Sequence, residues 1–203
     1  MKRTLLMRSM ALATSLMLPA SATYAAPITF KANLTGALEF PPSGSPGTGF
    51  AMVVLDPALH TMHVDVTFSG LIGSTTASHI HCCLPSPFET GVNVMVATTT
   101  PTFPMFPLGV QSGTYSHDFD LTLASSYNPA FITSPFNPSG TIAGAEAALV
   151  AGIENGETYL NIHTMNFLSG EIRGFLVAAP EPASLVLLGS ALVGIALIRR
   201  RRA

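Results

Sequence analysis

The stretch 61–68 alternates without a break: Met62, Val64, Val66 and Phe68 fall on one face of an extended chain, and Thr61, His63, Asp65 and Thr67 on the other. A period of two is the spacing of a half-buried β-strand; a helix would scatter those four apolar residues around its axis. Shorter runs of the same kind recur at residues 28–34, 50–55, 92–97, 113–121, 158–164 and 171–177. Asp56-Pro57, Ser69-Gly70, Asn155-Gly156 and Ser169-Gly170 punctuate them as turns. Seven or eight short strands so spaced predict an all-β fold, an antiparallel Greek-key sandwich or barrel. Only the alanine-rich stretch 141–151 has helical character, and it could equally serve as a loop turn. Residues 101–107 and 127–138 read as proline-rich, aromatic-bearing loops, and no internal repeat is visible.

Charge separates the ends from the middle. Of the 9 basic residues, Lys2, Arg3 and Arg8 open the chain and Arg199, Arg200, Arg201 and Arg202 close it. Only Lys31 and Arg173 lie between, against 11 acidic residues. So acidic a centre repels phosphate backbones, which excludes nucleic acid as a partner. Residues 1–25 combine a basic start, an apolar stretch over 10–20 and small residues; Ala20-Ser21-Ala22 is a cleavage pattern, with Thr23-Tyr24-Ala25 as second choice. This predicts a signal peptide, handled by the secretion machinery and signal peptidase, followed by a β domain over 26–178. At the other end, residues 183–198 carry no charge. As a helix they would span about 24 Å, short of a ~30 Å hydrocarbon core but within reach through tilt and snorkelling arginines. The arginines place the C-terminus in the cytoplasm and the β domain on the far side of the inner membrane.

Pro180-Glu181-Pro182, the apolar segment and the terminal arginines, in that order, resemble a PEP-CTERM sorting signal over 179–203. The resemblance implies a transient inner-membrane anchor, cleavage by an exosortase-type membrane protease, and a final place at the cell surface or in an exopolysaccharide matrix. A plain single-pass anchor is the alternative. Between the ends, Leu34-Thr35-Gly36-Ala37-Leu38-Glu39-Phe40-Pro41-Pro42, the stretch 47–55, Phe68-Ser69-Gly70-Leu71 and His79-Ile80-His81 follow one another. They are completed by the stretch 156–164 and by Ser169-Gly170-Glu171-Ile172-Arg173-Gly174. In this order the blocks resemble a CHRD (chordin-type) domain, which implies an all-β extracellular module. Cys82-Cys83 and the long connection over 98–138 depart from the family pattern.

His79-Ile80-His81 is the strongest chemical signal, because residues two apart on a strand share a face and both imidazoles can reach one ion. His163 is the natural third ligand, on the face of its strand that also carries Tyr159 and Asn161. Hydrogen-bonded structural histidines are the alternative. An H-x-H strand, a later single histidine and a Gly-x-x-Arg-Gly-like turn loosely resemble copper–zinc superoxide dismutase. That likeness, or an immunoglobulin-like one, is the specific form of the sandwich expectation. It implies copper or zinc at His79, His81 and His163, with Arg173 near the opening to attract anions. The second, bridged metal site and the disulfide spacing of that enzyme are not recognisable. Adjacent Cys82 and Cys83 admit a vicinal disulfide, intermolecular pairing or thiolate ligation. His117 reads as a core-edge histidine or a fourth ligand, His60 as a turn residue, and His63 as solvated. Asp118 and Asp120 share a strand face without a visible partner, and Glu171 with Arg173 reads as a surface ion pair. No nucleophile elbow, phosphate loop or dinucleotide fingerprint occurs. The reading is therefore a non-enzymatic exported module that binds exopolysaccharide or matrix proteins or is purely structural, with a copper- or zinc-binding redox protein as the alternative.

Overall fold

The computed structural model describes residues 26–180 and residue 200. The expected signal peptide and the apolar segment 183–198 lie outside the described residues, as do Glu181, Pro182, Arg199, Arg201 and Arg202. Among the described residues, no helix is long and apolar enough to cross a membrane.

The chain runs β1 (Ile28–Thr35), β2 (Thr48–Asp56), β3 (Thr61–Ser69), β4 (Thr75–Cys82), β5 (Gly113–Asp120), α1 (Pro129–Ile132), α2 (Ile142–Glu154), β6 (Thr158–Thr164), β7 (Ile172–Phe175) and β8 (Val177–Ala178). One antiparallel sheet takes all eight strands in the order β4-β6-β7-β1-β2-β3-β5, with β8 beside β1. The all-β antiparallel expectation is met by this single sheet, curled into a half-barrel. Its period-two residues do what alternation requires. Met62, Val64, Val66 and Phe68 are buried, as are Val53 and Leu55 of β2 and Phe30, Ala32 and Leu34 of β1.

On the β4-β6-β7 wing both faces are covered. Ile80, Leu160, Ile162 and Ile172 join the hydrophobic core on one face. The opposite face carries His79, His81, Tyr159, Asn161 and Arg173, all buried although polar or amphipathic. Loops cover them. The connection after β4 turns back along the strand's free edge: Ala97 donates to Ile80, Phe103 to Ser78 and Thr75 to Val110. An edge strand that would otherwise expose its backbone groups is thereby paired. Phe103 also stacks on Tyr115 of β5 at 5.5 Å, drawing the two margins of the curled sheet together.

Three expectations shift. Residues 92–97 make only an isolated bridge, His81 to Val96, because at Thr98 the chain leaves β4 to bridge Tyr127 instead. The helix is real and begins one residue later, since Thr141 serves as its N-cap, accepting from the Gly144 amide at 3.1 Å. It runs on to Glu154 and stops before Gly156, whose φ of 74° suits the left-handed position that ends helices. The β4 strand begins at Thr75, where Thr75-Thr76-Ala77-Ser78 offers no apolar alternation to announce it.

Candidate metal centre

His79 and His81 lie two apart on β4; β6 is its neighbour, with His79 opposite Asn161 and Ala77 opposite His163. This diagonal brings the three rings together, with centroids 5.2 Å apart for His79–His163, 5.8 Å for His79–His81 and 6.1 Å for His81–His163. One ring nitrogen from each lies within 4.8 Å of the others. Bonds of ~2.0–2.1 Å to a tetrahedral ion would set such nitrogens about 3.4 Å apart, so small side-chain rotations separate this arrangement from ligation.

The outer nitrogens are fixed by backbone carbonyls. His79 Nε2 donates to Pro101 O at 2.5 Å, His81 Nδ1 to Val94 O at 2.6 Å and His163 Nδ1 to Leu168 O at 2.9 Å. Carbonyls only accept, so each of these nitrogens holds the ring proton, and the other nitrogen of each neutral ring is left as a bare acceptor. His79 Nδ1, His81 Nε2 and His163 Nε2 are buried and without hydrogen-bond partners. Burial lowers all three pKa values, to about 4 for His79 and about 3 for His81. The rings are therefore neutral near pH 7, the state in which imidazole binds metal, and the carbonyl partners orient them as second-layer groups do in metal sites.

Behind the histidines lies a stack. Tyr159 packs on the His81 ring at 4.6 Å, and the Arg173 guanidinium sits 4.4 Å over the other residue's aromatic ring, that of Tyr159. Arg173 is not at an opening where it could attract anions; it is fully buried. It donates to Leu38 O, and at 3.1 Å to Val92 O, Thr90 O and Asn93 Oδ1, and it faces Glu39 at 3.8 Å. Nor does Arg173 form a surface pair with Glu171, which is buried too. Burial pushes the Glu171 pKa up, but hydrogen bonds from Ser45 Oγ, Thr164 Oγ1 and the Ile72 and Gly73 amides outweigh it and hold the carboxylate ionised.

The remaining candidates stand apart from the cluster. His117 is half-buried between Tyr115 and Phe119, with ring centroids 6.1 and 4.7 Å away, and belongs to β5 rather than to the trihistidine group. His60 pairs with Glu146 at 2.8 Å. His63 is held between Asp118 at 2.7 Å and Asp65 at 3.1 Å, so Asp118 has the partner that the sequence did not reveal. Cys82 and Cys83 are joined to each other. Cys82 points to the core face, its Sγ 4.0 Å from Ala148 O of α2, so neither sulfur is offered to the histidines as a thiolate. Glu39 and Asn161 were not anticipated as site residues. Asn161 shares its strand face with His163, a signal already present in the alternation; Glu39 had only its place in the CHRD-like block before Pro41.

Fold and site together define an antiparallel β module with a buried cluster of neutral imidazoles. Residues 30–176 match the model of the CHRD domain, and the chain belongs to that family. Residues 178–202 match the PEP-CTERM protein-sorting motif. That motif marks the protein for export and for a membrane-anchored sorting step with processing by an exosortase-type membrane protease. No curated protein and no solved structure matches the chain.

Proposed function

We propose that this protein is an exported, non-enzymatic binding module whose CHRD domain holds one transition-metal ion at His79, His81 and His163. The observation that carries the reading is the convergence of three buried, unpartnered ring nitrogens whose opposite nitrogens are all pinned by carbonyls. Leaving one buried polar atom unsatisfied costs about 1–3 kcal/mol, and three in one place call for a shared partner. Copper and zinc suit imidazole donors. The likeness to superoxide dismutase is confined to an antiparallel β scaffold bearing an H-x-H strand, and the buried Arg173 removes the support for anion attraction. Elemental analysis of the full-length protein after loading with zinc or copper should give one ion per chain, and His79→Ala should lose it. Equal metal content in the two proteins would contradict the assignment.

In this reading the sorting tail supports delivery to the cell surface or the surrounding matrix, with the 183–198 segment as a temporary anchor. A matrix-facing role has one supporting feature: a shallow concavity of about 640 Å³ where exposed Phe50 is ringed by Thr48, Thr67, Ser69, Ser112 and Thr114. An aromatic face among hydroxyls suits a neutral polysaccharide. Retention on immobilised exopolysaccharide should weaken in Phe50→Ala; absence of retention in the parent protein counts against it.

A further inference from the structure

Asn161 stands opposite His79 in the β4–β6 ladder and two residues before His163 on the same strand face. It is buried, and its Oδ1 has no hydrogen-bond partner. It is flanked in the sheet by His79 on β4 and Arg173 on β7. His81 Nδ1 is committed to Val94 O, which leaves the Nε2 of the neutral ring with only a lone pair.

Four buried acceptors without a hydrogen-bond partner thus lie on one face of β4 and β6: His79 Nδ1, His81 Nε2, His163 Nε2 and Asn161 Oδ1. A water molecule has two protons and could satisfy two of the four; a cation satisfies all. Resting on the trihistidine reading, we propose that Asn161 Oδ1 is the fourth ligand, completing a closed site of three nitrogens and one oxygen that selects a divalent ion, Zn(II) or Cu(II), over Cu(I). Amide oxygen is a hard donor, whereas Cu(I) is selected by thiolates and thioethers. The two cysteines, which could have supplied soft sulfur, are bonded to each other. With four protein ligands and its donor atoms buried, the ion has no vacant position for a substrate, which is the pattern of a structural or electron-transfer centre rather than a hydrolytic one.

The test uses the full-length protein loaded with Cu(II) and read by electron paramagnetic resonance, together with Zn(II), Cu(II) and Cu(I) affinities from competition with chelators. The parent protein should show three nitrogen ligands. Asn161→Leu should alter the spectrum and weaken Zn(II) and Cu(II) about tenfold or more, leaving Cu(I) unchanged. Asn161→Asp, which keeps the shape and supplies an anionic oxygen, should alter the spectrum and tighten both divalent ions; it decides the matter if the leucine variant does not fold. A spectrum and a Cu(II)-to-Cu(I) preference unchanged in Asn161→Asp would overturn the fourth-ligand assignment while three-nitrogen binding still stood. No binding of any of the three ions by the parent protein would overturn the trihistidine reading itself.

Discussion

His79 and His81 carry opposite obligations from those of Glu39. Both rings are held neutral, with pKa values near 4 and 3, while an unfolded histidine would bind a proton below its usual 6.5. The unfolded chain therefore takes up more protons as pH falls, so the stability present above pH 6.5 is lost progressively as pH drops through 4 toward 3. Glu39 acts in reverse: burial raises its pKa to about 7, so the protonated form favours folding below pH 4.5 and that contribution fades as pH rises through 7. Metal-free protein should accordingly unfold at lower urea concentration at pH 4 than at pH 6, and Glu39→Gln, which removes the opposing contribution, should steepen the pH 4.5–7 limb. A midpoint that rises on acidification to pH 4 would contradict the neutral-histidine assignment. Glu171, ionised and fully buried, is a separate case. Glu171→Gln turns an amide nitrogen toward the Ile72 or the Gly73 backbone amide, which can only donate, and should cost about 1–3 kcal/mol in denaturant unfolding. The histidine triad was legible because a period of two places 79, 81 and 163 on definite faces. The roles of Glu39 and Arg173 were not, because their partners at Thr90, Val92 and Asn93 come from a loop whose return path no local pattern encodes.

Among the elements, α2 and the end of β4 depend on each other. Gly152 lies on the buried face of the helix with Ala145, Leu149 and Ile153, and a Cβ there would meet Cys82 Sγ at 2.4 Å and Cys83 Sγ at 3.3 Å. The bonded pair of cysteines thus serves as the surface on which the helix docks. Gly152→Ala should destabilise by about 1–3 kcal/mol through overpacking, despite alanine's better helix propensity. A thermal melt unchanged or raised by this substitution would show that the helix does not dock there. The helix was readable from its alanines and the strands from their alternation. The 92–97 run misled because its apolar residues pack in a loop that touches β4 at Val96 without forming a ladder, and the adjacency of Cys82 and Cys83 left their pairing open until the surrounding helix was in place.

At the scale of the whole molecule, the sorting motif and the proposed metal site are written in different places. The sorting motif is the contiguous stretch 178–202, whereas the proposed metal site is assembled from β4, β6 and the loops carrying Val94, Pro101 and Leu168. Since a preformed site binds metal in the folded state alone, Zn(II) at a hundred times its Kd should add about 2.7 kcal/mol to folding stability, and the gain should vanish in His163→Ala. An export route suits the disulfide, which persists in oxidising compartments. The most direct measurement is X-ray absorption on the zinc-loaded full-length protein. Three imidazole nitrogens at ~2.0–2.1 Å with a single oxygen neighbour are predicted; a shell of oxygens alone, or the same spectrum after His81→Ala, would contradict the centre described here.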